Sequence, residues 1–263
     1  MSNRSEEELL AGGNVSNVYR SGETVRRDLK EGSERIHALL NHLERKGYLH
    51  SPRFLCIDEK GREVLSFIKG EAGNYPLKEY MLSDESLFEI ARMLRSYHDA
   101  VSDFSYDDSW PLLDNTPQNH EVICHNDFAV YNIIYHDKEP VGIIDFDVAA
   151  PGPRIWDIAY TLYTCVPLSR HTFTESGVKI DYDPERDASS IKERVDMFFE
   201  AYGETFEEDW VQVVMDRLEG ICQTIARKAG EGDMAFQKMV EEGHVSHYKK
   251  DIAFIRKYGD AWR

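Results

Sequence analysis

The chain has 263 residues, of which 41% are hydrophobic and 30% are charged, and its formal net charge is −17. This length and composition predict a globular protein of one large domain or two modest lobes, too apolar to be disordered. The acidic balance argues against nucleic acid and anionic membranes as partners, because both are bound through basic surfaces. It permits a cationic substrate, although a solvated acidic surface is the commoner explanation.

The N-terminal residues, MSNRSEEELL, lack the apolar stretch of a secretory signal. No run approaches the roughly 18 apolar residues that a membrane span needs. We therefore expect a cytoplasmic protein. The cysteines lie far apart in apolar surroundings, so we expect all of them to be buried and reduced: Cys56, Cys124, Cys165 and Cys222.

The first ~70 residues are predicted to form strands around one helix. Segments 14–20 and 23–29 flank Ser21-Gly22, which predicts a hairpin. Segments 52–58 and 62–68 flank Glu59-Lys60-Gly61, which predicts a second one. Between the hairpins, four apolar residues have the spacing of one helical face: Ile36, Leu39, Leu40 and Leu43.

After Gly70 the pattern becomes mostly helical, with apolar faces predicted within 87–98, 191–202 and 210–225. One further hairpin is predicted between these helices, from strands 132–135 and 141–144 with a turn at 137–140. The sequence thus predicts an α+β protein with a small β-rich N-terminal lobe, residues 1–69, and a larger, mainly helical C-terminal lobe, residues 70–263. Interfaces between such lobes are where ligand clefts tend to form.

The segment ICHNDFAVYNIIY, residues 123–135, and the later GIIDFD place polar side chains at both ends of that hairpin. Asn132 enters the first strand and Asp145 leaves the second, while Asp127 lies on the preceding loop. If the strands pair antiparallel, these groups meet at one rim. Carboxylate and amide oxygens suit Mg²⁺ that carries phosphate groups, and an acid could instead accept the proton of an attacking hydroxyl. The residues predict phosphoryl transfer, although each motif taken singly is as compatible with a polar loop between buried strands.

The order and spacing of these motifs resemble a known family. His125-x-Asp127-x4-Asn132, followed by Asp145-Phe146-Asp147, resembles the catalytic motifs of the aminoglycoside phosphotransferase family, a small-molecule branch of the protein-kinase-like fold. Residues 94–98 resemble its LxxLH helix end, and residues 151–159 resemble its downstream acidic segment. The likeness runs from about residue 10 to about residue 168 and is closest to bacterial phosphotransferase or trifolitoxin-immunity-like members.

The resemblance implies a bilobal protein-kinase-like fold and a role for each matched residue. Asp127 would be the catalytic base, and Asn132 and Asp145 would bind Mg²⁺. His125 and Asp157 would support the catalytic loop structurally. Asp147 stands where protein kinases have glycine, and a surface acid is favoured there over a ligand of a second metal or a water.

The same resemblance also predicts which residues bind the nucleotide. Residues 11–19 resemble the phosphate-binding loop, which predicts contacts to the nucleotide from Gly13, Asn14, Ser16 and Asn17. The usual strand-three lysine is replaced by arginine, and the register favours Arg26 over Arg27. The backbone of Ser66, Phe67 and Ile68 is predicted to bind the nucleobase at the hinge between the lobes, with an ordinary apolar strand as the alternative.

One departure from the family pattern concerns the helix glutamate that pairs with the strand-three cation. It would fall near Ile36, which cannot serve, and helical phase places neither His37 nor Glu34 at the same spot. The resemblance implies an ATP- or GTP-dependent, Mg²⁺-requiring kinase that phosphorylates a hydroxyl of a small molecule, an aminoglycoside or other cationic acceptor.

The departure motivates the alternative of a catalytically weak binding or immunity-type protein on the same fold. A metal hydrolase is a third, less favoured reading, because histidine-rich ligation is lacking. The acceptor would be chosen by residues after 168, where no motif is found. Neither nucleic acid nor membrane is expected as a partner, and the sequence predicts no oligomeric state.

Overall fold

The computed structural model describes residues 7–10 and 18–263. Its N-terminal part is an antiparallel sheet of five strands in the spatial order β1-β2-β3-β5-β4. The strands are β1 (Glu8–Leu10), β2 (Val18–Ser21), β3 (Thr24–Asp28), β4 (Phe54–Ile57) and β5 (Arg62–Ser66), and helix α1 (Ser33–Arg45) follows β3. Both predicted N-terminal hairpins and the helix between them are therefore confirmed, although part of the first segment lies outside the described residues.

The register between β3 and β5 sets which side chains of the sheet can meet. Arg27 pairs with Glu63, and its neighbour Arg26 pairs with Val64. Because successive side chains of a strand point to opposite faces, Arg26 and Arg27 lie on opposite sides of the sheet. This alternation decides below which of the two arginines reaches the site.

The expectation for the cysteines is correct for three of them. Cys124, Cys165 and Cys222 are buried, whereas Cys56 is exposed, and all four are free thiols. Cys56 lies on β4, the edge strand of the N-terminal sheet. An apolar run on an edge strand is covered less completely than one in the middle of a sheet, which is why its surroundings in sequence were misleading.

The C-terminal part is built mainly from helices, as predicted. They are α2 (Asp84–Ala100), α3 (Arg154–Cys165), α4 (Pro184–Tyr202), α5 (Trp210–Gly230), α6 (Met234–Glu241) and α7 (His244–Tyr258). Helix α2 packs against α4, and α5 packs against both α3 and α7. The apolar faces predicted from periodicity are the buried faces of α2, α4 and α5.

The hairpin predicted to hold the polar residues is present, with shifted ends. Short strand β6 (Glu71–Ala72) pairs with β8 (Ile133–His136), which pairs in turn with β9 (Glu139–Ile143). The turn is only Asp137-Lys138, and both residues have positive φ, 52° and 72°. A two-residue turn of this kind matches the twist of paired strands. Pro140 therefore lies within β9, opposite Tyr135 at a register shift, rather than in the turn.

Two more strands, β7 (Val122–Cys124) and β10 (Ala150–Gly152), form a separate pair that flanks residues 125–149. Strands β11 (His171–Phe173) and β12 (Lys179–Asp181) form an outer hairpin before α4. Short 3₁₀ turns occur at Glu79–Leu82, Val130–Asn132 and Gly259–Trp262. Within the described ranges, no helix combines the length and apolar content needed to cross a membrane.

A single hydrophobic cluster joins the two parts. It includes Leu39 and Leu43 of α1, Leu94 of α2, and Ile133 and Ile143 of the hairpin. Because the same core runs beneath the N-terminal sheet and the hairpin, the residues at the hairpin's open end are held opposite the face of the sheet that carries Arg27. The prediction of a small β-rich lobe and a larger helical lobe is confirmed as an architecture, and the boundary at residue 70 stays a prediction.

Candidate active site

The loop between β7 and β8 is anchored by one buried acid. Asp157, on the first turn of α3, has no exposed surface. Its Oδ2 accepts the backbone N–H of His125 at 2.7 Å, and its Oδ1 accepts that of Asn126 at 2.7 Å. Burial alone would raise the pKa of Asp157, but the hydrogen bonds from His98 and from the His125 backbone outweigh it and lower the pKa. A buried carboxylate thus fixes the backbone immediately before Asp127.

The support extends into α2 through His98. This histidine is fully buried, with Nε2 3.2 Å from Asp157 Oδ2 and Nδ1 2.8 Å from the Tyr202 hydroxyl. The helix end that resembles LxxLH therefore contributes a residue that links α2, α3 and α4. His125 is also buried, and its Nδ1 accepts the backbone N–H of Asp127 at 3.2 Å. Burial lowers the pKa of His125 to about 4, so this histidine is neutral at physiological pH.

Asp127 lies at the mouth of the hairpin with both carboxylate oxygens engaged. Its Oδ1 accepts the Tyr131 hydroxyl at 2.6 Å, and its Oδ2 accepts Asn132 Nδ2 at 2.7 Å. Burial raises the pKa of Asp127 to about 6, helped by the nearby Asp145 charge and opposed by these two hydrogen bonds. A carboxylate with a pKa near 6 is ionised at neutral pH and is a better proton acceptor than an ordinary aspartate.

Asn132 and Asp145 come together because the hairpin strands pair. Ile133 is opposite Ile143, and the Ile144 N–H donates to the Asn132 carbonyl at 3.0 Å. Asn132 Nδ2 donates to Asp127, which identifies its other side-chain atom as a carbonyl oxygen. Asp145 has φ 67°, a left-handed conformation that is uncommon outside glycine, and its side chain is 49% exposed.

This pair of oxygen donors fits Mg²⁺ but not a metal bound by protein alone. Among the residues that the structure describes, no group of three or more His, Cys, Asp or Glu side chains could hold a metal ion. Mg²⁺ is commonly held by one or two protein oxygens, with substrate phosphates and water completing its octahedron. Partial desolvation and the Asp147 charge raise the pKa of Asp145, whereas Arg27 and Lys30 lower that of Asp147.

Arg27, not Arg26, reaches these acids from the N-terminal sheet. Its Nη2 lies 2.6 Å from Asp147 Oδ1 and its Nη1 lies 3.6 Å from Asp145 Oδ1. Arg26 instead lies 4.0 Å from Asp58 and donates to the Thr24 hydroxyl, on the opposite face of the sheet. The register prediction is therefore corrected by one residue. Asp147 also pairs with Lys30 at 2.5 Å, so it bridges to two cations of the other lobe rather than lying free on the surface.

Arg27 is held on its sheet side by Glu63, which the sequence did not single out, and Glu63 is in turn contacted by His37, which helical phase had set aside. Glu63 is 1% exposed on β5, directly opposite Arg27, and its Oε1 accepts a hydrogen bond from Arg27 Nε. Its Oε2 lies 2.6 Å from His37 Nε2. The His37 ring is stacked on Phe54, with centroids 3.8 Å apart. Because Glu63 follows Arg62 at the start of β5, its sequence context resembles that of an exposed charged residue and gives no sign of its burial.

The predicted nucleotide contacts are placed only in part. Gly13, Asn14, Ser16 and Asn17 lie outside the described residues. At the hinge, the Ser66 N–H donates to Arg53 O at 2.9 Å and the Phe67 N–H donates to Glu23 O at 2.9 Å. Neither N–H group is therefore available to a nucleobase, because the sheet continues through this segment. The groups left to bind a nucleobase at the predicted hinge are the backbone of Ile68 and the carbonyl groups nearby.

The C-terminal helices contribute a buried arginine and a row of tyrosine hydroxyls that sequence reasoning missed. Arg217 of α5 is 4% exposed and donates to the Asn126 carbonyl at 2.6 Å, with its guanidinium 5.1 Å from the Tyr160 ring centroid. The Tyr131 hydroxyl lies 2.9 Å from that of Tyr160, which lies 3.5 Å from that of Tyr248. These contacts connect Asp127 to α3 and also to α5 and α7, where no motif had been found.

Comparison with known proteins supports the motif assignment. Residues 106–212 match the phosphotransferase enzyme family, a range that contains the loop carrying His125 and Asp127, the hairpin and Asp157. A trifolitoxin immunity protein of Rhizobium leguminosarum bv. trifolii is 35% identical over 152 residues. That match covers 56% of this chain and 57% of the relative, so the chain spans little more than half the length of the curated protein it matches.

Solved structures extend the similarity of fold to nearly the whole chain. The GDP and kanamycin complex of APH(2″)-IIIa, an aminoglycoside phosphotransferase, aligns with a TM-score of 0.63 at 17% identity, covering 96% of this chain and 94% of that one. A choline/ethanolamine kinase family protein from Mesorhizobium loti aligns with a TM-score of 0.59 at 15% identity, covering 97% and 93%. The predicted protein-kinase-like fold and the resemblance to aminoglycoside phosphotransferases are thereby confirmed.

Proposed function

We propose that this protein is a small-molecule kinase that transfers the γ-phosphoryl group of ATP or GTP to a hydroxyl of its acceptor. The observation that carries the proposal is the placement of Asp127. Its half-buried carboxylate, with a pKa of about 6, lies beside Asn132 and Asp145 at the open end of the hairpin, opposite Arg27. The match of residues 106–212 to the phosphotransferase family supports the same assignment.

In this mechanism Asp127 orients the acceptor hydroxyl and takes its proton. As the acceptor oxygen forms its bond to the γ-phosphorus, the bond from that phosphorus to the β–γ bridging oxygen breaks, leaving ADP or GDP. The acceptor hydroxyl would share the carboxylate with Tyr131 and Asn132, which already donate to its two oxygens. Because His125 and Asp157 fix the backbone at this point, the carboxylate is held in position before the substrates bind.

Asn132 Oδ1 and the Asp145 carboxylate would hold Mg²⁺ against the nucleotide phosphates. The ion would neutralise the charge on the phosphate oxygens during transfer. Arg27 would bind the same phosphates from the N-terminal side, because its terminal nitrogens already point at Asp145 and Asp147. Arginine can contact two phosphate oxygens at once, so it can take the place of the usual lysine.

For the acceptor we propose a hydroxylated, cationic small molecule. The aminoglycoside phosphotransferase and the choline/ethanolamine kinase family protein named above share the fold, and kanamycin is bound in the first of them. In this chain the tyrosine row of Tyr131, Tyr160 and Tyr248 extends from Asp127 towards α7. Aromatic faces and acidic side chains both attract cations, and the chain carries a net charge of −17.

The test combines calorimetric titration with product analysis. Wild-type protein should bind ATP or GTP in a Mg²⁺-dependent manner and phosphorylate a member of a panel of aminoglycosides and amino alcohols. Asp127→Ala should abolish turnover while nucleotide affinity stays nearly unchanged, and Asp145→Ala should lose the Mg²⁺-dependent binding. Asp137→Asn is the matched control, since this acid at the hairpin turn has a side chain that is 91% exposed. Full turnover by Asp127→Ala would sink the proposal.

The second candidate is an immunity-type binding protein that keeps the fold without efficient catalysis. The 35% identity to a trifolitoxin immunity protein favours it, as does the absence of a helix acid at Ile36. Nucleotide binding without a phosphorylated product across the whole acceptor panel would support this candidate. Product formation that depends on Asp127 would exclude it.

A further inference from the structure

The buried side of Arg27 holds an acid that the proposed chemistry leaves unused. Glu63 lies on a central strand of the sheet with 1% of its surface exposed. A carboxylate at such a position is strongly destabilising unless cations or hydrogen-bond donors engage it. Arg27 Nε and His37 Nε2 engage one oxygen each, so the acid is fully used by neighbours within its own lobe.

This arrangement leaves only one edge of the Arg27 guanidinium available. Because Nε is directed at Glu63, the two terminal nitrogens are directed at Asp145 and Asp147 of the C-terminal part. A guanidinium held by Nε presents Nη1 and Nη2 as a fork of donors, which is the geometry that binds two oxygens of a phosphate. A lysine at this position would have to present one ammonium group to both Glu63 and the phosphates, whereas arginine can use different nitrogens for the two contacts.

We propose that Glu63, supported by His37, is the positioning residue that orients Arg27 towards the nucleotide phosphates. It supplies from strand β5 the negative charge that α1 cannot supply, since α1 carries Ile36 where an acid was expected. The inference rests on the proposed nucleotide-binding function of the site. Glu63 does not touch the reacting atoms itself, and acts entirely through Arg27.

The position of Glu63 explains why the restraint is effective. Arg27 and Glu63 are direct cross-strand partners, and such pairs bring side chains on the same face close together. His37 closes the other side, and its stacking on Phe54 fixes the ring that faces Glu63. Ordering Arg27 before the nucleotide binds removes part of the entropy loss that binding would otherwise cause.

The experiment compares binding of Mg²⁺–ATP and Mg²⁺–GTP with binding of adenosine and guanosine, by calorimetry. Four proteins are required: wild type, Glu63→Gln, Arg27→Met, and the double variant. Glu63→Gln should weaken nucleotide binding about tenfold and leave nucleoside binding unchanged, because only the phosphates meet Arg27. In the Arg27→Met background the same substitution should cause no further loss, as expected of a residue that acts through Arg27.

Two controls separate positioning from folding. Glu59→Gln changes an exposed acid in the turn between β4 and β5 and should leave all affinities unchanged. His37→Gln retains a donor for Glu63 and should bind nucleotide better than His37→Leu, which removes it. A positioning role predicts this rescue, whereas a purely steric role for the ring predicts equal losses.

Each remaining outcome has a definite reading. Equal losses of nucleotide and nucleoside affinity in Glu63→Gln, or a further loss on top of Arg27→Met, would overturn the positioning role. Wild-type nucleotide affinity in Glu63→Gln would overturn it too, while leaving the proposed kinase function standing. Wild-type protein that binds neither nucleotide would overturn the kinase proposal, and this inference with it.

Discussion

Each half of the site is organised around one buried acid, and the two acids hold different parts of the protein in place. Asp157 and Glu63 are 0% and 1% exposed, and each faces a histidine Nε2. Asp157 accepts two backbone N–H groups, so it fixes the path of the catalytic loop. Glu63 accepts a hydrogen bond from the Arg27 side chain, so it orients that side chain. The backbone of β3, which carries Arg27, is already held by its pairing with β5. The difference indicates that loss of the first should disturb the fold, and loss of the second should disturb mainly ligand binding.

The largest effect on stability is expected for Asp157→Ala. The substitution leaves two buried N–H groups and His98 without their acceptor, so it should reduce the free energy of unfolding by about 3 to 5 kcal/mol. Urea denaturation of Asp157→Ala and Glu63→Gln side by side measures the contrast. Equal losses of unfolding free energy in the two variants would contradict the view that Asp157, which binds backbone, supports the fold more than Glu63, which binds a side chain.

An intermediate, pH-dependent effect on stability is expected at Asp127, whose carboxylate is partly removed from solvent. Because the folded-state pKa is about 6 and the ordinary value is 3.8, the folded protein holds a proton that the unfolded chain has already released between these values. Ionised Asp127 therefore destabilises the protein, beginning above pH 4 and reaching its full extent above pH 6.

Asp127→Asn removes this titration. Relative to wild type, the variant should gain stability as pH rises from 4 to 7, by at most about 3 kcal/mol, with no further gain above that range. Thermal unfolding of both proteins in buffers of different pH gives the measurement. Any effect of the asparagine side chain on stability that does not vary with pH has no influence on how the difference between the two proteins changes with pH. A stability difference that does not change with pH would show that Asp127 has an ordinary pKa.

The smallest effect is expected for Lys30→Met, which removes one cation from the partly exposed Asp147. The Lys30 side chain is 37% exposed and that of Asp147 is 19% exposed. Ion pairs at this level of exposure contribute less than about 1 kcal/mol and are screened by salt. Unfolding measured at low and at high ionic strength should show a small loss that shrinks with added salt. A loss as large as that of Asp157→Ala would mean that contacts across the cleft, not the buried acids, hold the site together.

The part of the site that the sequence predicts well is the part that is local in sequence. His125, Asp127 and Asn132 fall within eight residues, and the hairpin brings Asp145 back to them through a turn that alternation and turn residues reveal. The proximity of these residues could therefore be predicted from spacing, whereas the roles assigned to them come from the family resemblance and stay a prediction. Family resemblance then supplied Asp157 as a structural support, and the structure places it against the loop.

The part that could not be predicted depends on contacts distant in sequence or on a single step of register. Arg217 contacts Asn126 from 91 residues away, within a helix whose apolar periodicity gives no sign of a buried cation. Arg26 and Arg27 differ only in which face of β3 they occupy, and strand ends cannot be placed from sequence to within one residue. Glu63 could not be predicted because the family pattern places the counter-ion of the strand-three cation on the helix, whereas here it comes from β5.

The placement of Glu63 on a strand has a consequence for control. Where a helix supplies the partner of a catalytic cation, swinging that helix in or out can turn an enzyme on and off. In this protein β3 and β5 are hydrogen-bonded neighbours, with partners running from Thr24 opposite Ser66 to Asp28 opposite Arg62, so the salt bridge is established when the sheet folds. In the kinase proposed above, the acid that pairs with Arg27 would therefore be in place without a movement of α1, which contributes His37 to the second oxygen of Glu63.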